Sequence, residues 1–313
     1  MTAPYSLDGA APLAHWGVIR VQGADAAAFL HGQLTNDFAV LDSSHARLAG
    51  YCSAKGRLLA SFIGWKRSGD EVLLACSADL LTPTLKRLSM FVMRAKCKLS
   101  DASAQWRLLG LAGPSAVALL GAAAPSEIWG KGELAGAEVI RLPDAAGAAR
   151  FLWAAPADLP PPALPALDIA AWRWGEVASG VVTVEAATVD QFVPQMLNYE
   201  LLGGVDFKKG CYPGQEVVAR SQYRGTIKRR TFLFDSEGES VAGQDVFHSV
   251  DPGQPAGKVA NTAPLPGATG GSSLLAEIKL AALGDGTLHL GSAEGPLLQR
   301  AAMPYEVAIG AAD

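Results

Sequence analysis

Residues 206–230, DFKKGCYPGQEVVARSQYRGTIKRR, hold the densest set of groups able to do chemistry. Seven are basic: Lys208, Lys209, Arg220, Arg224, Lys228, Arg229 and Arg230. Between Lys208 and Arg230 the only acid is Glu216. Cys211 sits among them, flanked by Gly210 and Gly214, with Pro213 to stiffen the turn. Nearby cations favour thiolate over thiol, so this setting points to a reactive cysteine. The competing reading is a small residue packed under a tight turn. The same cations could grip nucleic-acid phosphates in a salt-dependent way. Cys52, Cys76 and Cys97 lack these neighbours, no two cysteines stand at C-x-x-C spacing, and the five histidines show no metal-ligand spacing.

The whole chain is not basic. Its 313 residues carry a net charge of −4 and a pI of about 5.8, with 50% hydrophobic and 18% charged residues. This suits a globular protein of one to three domains and gives no global argument for nucleic acid. The first residues have neither a basic nor an apolar leader region, and no apolar run approaches the roughly 20 residues of a membrane span. A soluble, cytoplasmic protein is expected.

Several elements must position the reactive segment. Residues 16–21 alternate as a strand, and Asp25 is placed to cap a helix over 26–34. Apolar runs at 57–65 and 71–76 flank a turn-like stretch and predict a hairpin. Leu80, Leu81, Leu85, Leu88 and Val92 recur at helical spacing over about fifteen residues. Residues 106–111 read as a strand, and Gly113-Pro114 opens another helix. Together these predict α+β or α/β layering. Five prolines between 155 and 170 mark a surface loop or linker. Past residue 231 there are ten acids against three bases, with Gly and Pro at short intervals, which suggests a small β-barrel or sandwich beyond a boundary near residue 228.

Lys209-Gly210-Cys211-Tyr212-Pro213-Gly214-Gln215-Glu216, then Ala219-Arg220, Tyr223-Arg224-Gly225 and Lys228-Arg229, resembles the signature of the YgfZ family. Phe29-Leu30-His31-Gly32-Gln33-Leu34-Thr35-Asn36-Asp37, Cys52-Ser53-Ala54-Lys55-Gly56-Arg57 and Gln191-Phe192-Val193-Pro194-Gln195-Met196-Leu197-Asn198 are similar to three further family segments. The resemblance spans roughly residues 13–230 and is weak through 115–165 and in the acidic C-terminal region.

The resemblance implies an α+β fold like the aminomethyltransferase of glycine cleavage. Three subdomains would surround a hole that receives tetrahydrofolate or a one-carbon derivative. A folate-binding region over 1–227, with two interleaved subdomains, would precede a C-terminal barrel over 228–313. Trp16 and Trp172 fall where the family's folate-associated tryptophans lie, although Val181-Val182 departs from the family's turn after Gly180. The resemblance also assigns Gln195, Asn198, Glu216, Tyr223 and Arg224 to the folate-binding set, and Lys209 and Arg220 to the setting of the Cys211 thiol. The implied role is a folate-binding accessory protein supporting iron–sulfur enzymes and tRNA thiomodification, without a stable cluster of its own. Two alternatives stand beside it. The transferase hairpin carries two aspartates where this chain has Ala60 and Ser61, which argues against aminomethyl transfer. A tRNA-binding module would use the basic residues of 208–230, but these could instead pair with the acidic C-terminal region or with a folate's glutamate tail.

Overall fold

Period-two burial sorts the chain into three antiparallel sheets. The computed structural model describes residues 6–223, 227–267 and 269–308. The first stretch runs through β1 (Gly9–Pro12), β2 (Trp16–Gln22), α1 (Ala26–His31), β3 (Ala46–Cys52), β4 (Leu58–Ser68), β5 (Glu71–Ser77), α2 (Ala78–Ser89) and β6 (Lys98–Asp101). Next come β7 (Trp106–Ala112), α3 (Gly113–Leu120), β8 (Lys131–Leu134), β9 (Ala137–Ala145), β10 (Ala148–Pro156), α4 (Ile169–Ala178) and α5 (Gln215–Tyr223). The last part holds β11 (Arg229–Ser236), β12 (Asp245–His248), β13 (Asp251–Pro264), β14 (Ser272–Lys279), β15 (Leu288–Leu290) and β16 (Gln299–Arg300).

The sheets have the orders β3-β4-β5-β2-β6, β1-β7-β10-β9-β8 and β15-β12-β13-β14-β11-β16. In the first sheet every residue of β5 is buried, as expected for a strand covered on both faces. Alternation splits it between two cores. Ile19, Phe62 and Leu74 face one, with Phe29 and Leu34. Val18, Ile63 and Leu73 face the other, with Leu108, Ile140 and Leu152 of the second sheet and Ala171 and Trp172 of α4. The third sheet has its own core around Phe232, Val259 and Leu274. Backbone hydrogen bonds from Leu290 to Pro296 and from Leu298 to Leu288 tie β15 to the segment entering β16, so this sheet curls toward closure.

Three local expectations change. Asp25 does not cap α1; its carboxylate accepts the backbone N–H of Lys96 at 2.7 Å instead. The helix stops at His31 rather than residue 34, because Leu34 is drawn into a bridge with Tyr51. α2 ends at Ser89, short of Val92; the chain then turns through Met93 at φ +40° with its side chain exposed. The proline-rich stretch is held by the sheet: Ala10 N–H donates to Pro165 O, Leu167 N–H to Ala10 O, and the Arg107 guanidinium to Ala157 and Leu159 carbonyls.

Candidate functional site

α4 begins at Asp168, whose carboxylate accepts the Ala170 N–H at 2.8 Å. Trp172 and Glu176 are four residues apart, so they share one helix face, and the Trp172 indole Nε1 donates to Glu176 Oε1 at 2.9 Å. β2 brings Trp16 to the same oxygen at 3.1 Å, and His15 Nε2 lies 3.0 Å from Oε2. Burial pushes the Glu176 carboxyl up, but the bonds from His15 and Trp172 and the charge of Arg150 outweigh it and hold it below the ordinary carboxylate value.

Glu176 stands where two arms of a cleft meet. Trp16, Glu176, Val181 and Thr183 line both. One arm adds His15, Arg173 and Glu185. The other adds Trp129, Ile63, Leu142 and Arg150. An aromatic, largely apolar slot with a few fixed charges is the usual form of a site for a flat heterocycle.

The second feature is the Cys211 turn. Three sequence motifs converge on it. Lys209 Nζ donates to the carbonyls of His31 (2.5 Å) and Leu34 (2.9 Å), and Asp206 N–H donates to Thr35 O. Gly214 packs on the 53–56 turn at φ +80°, where a Cβ would lie 2.4 Å from Ser53 O. Gln195 Nε2 donates to Val218 O at 2.7 Å, tying the third motif to α5. Cys211 itself is exposed.

Its electrostatic setting differs from the expected ring of cations. Burial pulls the Lys209 ammonium down to about 8, against the opposing pull of Asp37, Asp206 and Cys211. Arg220 is held by Glu216 at 3.0 Å. Arg229 pairs with Glu277 of the acidic C-terminal region, and Arg230 pairs with Glu200. Much of the basic segment is therefore spent on internal contacts.

The expected folate set divides. Trp16 lines the cleft and is partly exposed. Trp172 reaches Glu176 but is 1% exposed, with the Arg150 guanidinium 4.4 Å from its ring centre and Gly110 pressed against it. Its ring is therefore not open for stacking, and it acts by orienting Glu176. Gln195 and Asn198 are buried and serve the backbone; Asn198 Nδ2 donates to Thr231 O at 2.8 Å. Glu216 and Tyr223 are exposed on α5, with Tyr223 edge-on to Phe207 at 5.8 Å. None of these four lines the cleft, and neither does Cys211. Arg224 lies outside the described residues. Sequence reasoning missed Glu176, His15, Trp129 and Arg150. The available signal was a single acid, four residues after a tryptophan, in the otherwise apolar end of α4.

Among the described residues no group of three or more His, Cys, Asp or Glu is placed to hold a metal, and no helix is long and apolar enough to cross a membrane.

Residues 9–134 match the GCVT N-terminal domain. The fold is similar to the glycine cleavage system aminomethyltransferase T from Bartonella henselae, with a TM-score of 0.68 and 16% identity over 95% of this chain and 86% of that one. The architecture is thus that of the aminomethyltransferase class. Within it, the chain is 34% identical to the tRNA-modifying protein YgfZ of Edwardsiella ictaluri, over 72% of this chain and 70% of that protein. The proteins of the same name from Colwellia psychrerythraea and Serratia proteamaculans are 30% and 29% identical over 72% and 75% of this chain, and 71% and 73% of theirs. The chain belongs to the YgfZ family.

Proposed function

We propose that this chain binds a reduced folate in the Trp16–Glu176 cleft and uses the exposed Cys211 thiol in support of iron–sulfur enzymes and tRNA modification in the cytoplasm. The observation that carries the folate part is the convergence of His15, Trp16 and Trp172 on one carboxylate inside an aromatic slot. Its Oε2, which only His15 touches, is left to accept an N–H from the edge of a pterin, with Trp16 and Trp129 beside the ring's faces. tRNA modification comes from the names of the relatives, and the iron–sulfur role from the motif resemblance around Cys211. Aminomethyl transfer is not part of the proposal. Ala60 and Ser61 are both buried, and the Ser61 hydroxyl accepts the Val184 N–H at 2.9 Å. A carboxylate is absent at both positions.

Tryptophan fluorescence tests the folate part. Titration with 5-formyltetrahydrofolate should quench emission with micromolar-class affinity, and Trp16→Phe should remove much of the quench. Unchanged emission from the folded chain at millimolar folate would end the proposal. For the thiol, Cys211→Ala should fail to complement a cell lacking its own YgfZ-type protein while remaining folded.

A further inference from the structure

One wall of the cleft is a segment that belongs to no sheet. Residues 180–184, GVVTV, leave α4 through Gly180 at φ +72°. Their burial alternates. Val181 and Thr183 line both arms, while Val182 and Val184, each 1% exposed, turn into the core of the first sheet. Among the described residues, 181–184 make no hydrogen bond to another main-chain group.

Side chains hold this wall in place of a ladder. The Tyr305 hydroxyl donates to Gly180 O at 2.7 Å, and the Tyr199 hydroxyl donates to Val182 O at 2.6 Å. Asn261 accepts the Thr183 N–H at 2.8 Å and donates to Thr183 O at 2.9 Å. Ser61 Oγ accepts the Val184 N–H at 2.9 Å. Backbone groups removed from water need such partners, and here they come from four separate parts of the chain. The Tyr305 ring also occupies the space against Gly180, where a Cβ would lie 2.7 Å from its Cε1. Asn198 Nδ2 donates to the Tyr305 hydroxyl at 3.3 Å, so the 191–198 motif reaches the wall through this tyrosine. Tyr199 is buried, Tyr305 is partly buried, and neither lines an arm of the cleft.

Resting on the folate reading, we propose that Tyr199 and Tyr305 are positioning residues of the cleft. Without touching the ligand, their hydroxyls fix the carbonyls of Val182 and Gly180 and so aim Val181 and Thr183 into both arms. Removing either hydroxyl strands a carbonyl, which costs free energy until the wall shifts to another donor. A wall that must be ordered on binding holds its ligand less tightly than one ordered beforehand.

Tyr199→Phe and Tyr305→Phe each delete one hydroxyl and keep the ring. Two readouts on the folded chains test the proposal. Without ligand, amide hydrogen exchange at Thr183 and Val184 should speed up at least about 10-fold, with β5 unchanged. In fluorescence titration, 5-formyltetrahydrofolate should bind each variant at least about 3-fold more weakly than wild type. Glu306→Gln, at the exposed neighbour of Tyr305, should bind like wild type. Either folded tyrosine variant with unchanged exchange at the wall, or with a smaller loss of affinity, overturns the inference and leaves folate binding intact. So does an equal loss in Glu306→Gln. If Tyr199→Phe does not fold, Tyr305→Phe decides alone. Failure of the folded wild-type chain to bind the folate overturns the folate reading, and this inference with it.

Discussion

Glu176→Gln probes both stability and binding at the centre of the cleft. The side chain is 20% exposed and receives Trp16 at 3.1 Å, Trp172 at 2.9 Å and His15 at 3.0 Å. An amide oxygen can keep the two indole bonds, so the loss is the difference between a charged and a neutral acceptor, about 1 kcal/mol per bond. A neutral amide is also cheaper to bury than a carboxylate, which offsets part of that loss. The net expectation is a destabilisation of about 1–2 kcal/mol at pH 7, read by urea unfolding. The sign with pH follows from the depressed folded-state carboxyl. Its contribution is present above the unfolded value of about 4.3 and is lost as pH falls through the lower folded value. The gap between wild type and Glu176→Gln should therefore narrow on acidification below about pH 4. Glu176→Ala strands two indole donors, one of them buried, and should cost more, about 3 kcal/mol. A Glu176→Gln chain as stable as wild type at pH 7, or a gap that persists unchanged at pH 3, would refute the reasoning.

Further outcomes follow from the same contacts. Burial pushes the Cys52 and Cys76 thiols up to about 12, and mainly burial raises Cys97 as well, so iodoacetamide at neutral pH should label exposed Cys211 first, as read by peptide mass mapping. Cys211→Ala should change unfolding stability by no more than about 0.5 kcal/mol. Gly214→Ala forces a side chain to φ +80° with its Cβ 2.4 Å from Ser53 O, and should lose about 1–3 kcal/mol in thermal unfolding while leaving the thiol in place. Arg230→Met leaves Glu200 buried without its partner and should cost about 3–5 kcal/mol in urea, whereas a milder loss would show that water reaches Glu200.

Local pattern carried much of the fold. The strand at 16–21, the 57–76 hairpin and the strand at 106–111 show in the sequence because apolar alternation and turn residues are read within one element. Helix ends did not, because Asp25 and Leu34 are claimed by distant partners, Lys96 and Tyr51. The β9–β10 hairpin turns through Ala146 and Gly147, both at positive φ, in an alanine-rich run without a strand signature. At the site, the glycine-flanked Cys211 was legible because exposure follows from its own turn. Gln195 and Asn198 belong to a recognisable motif but hold backbone atoms in place, and a motif alone does not separate these roles. Glu176 and Arg150 were hidden because their meaning lies in contacts across the fold. His15 and Trp16 reach Glu176 from 161 and 160 residues away, and Arg150 meets it only across the cleft between sheet and helix.

A crystal structure of the chain with 5-formyltetrahydrofolate tests the central claim most directly. The account places the pterin in the arm lined by Trp16 and Trp129, with its edge on Glu176. Density for the pterin away from Glu176, or an empty cleft in crystals of a chain saturated with folate, would contradict it.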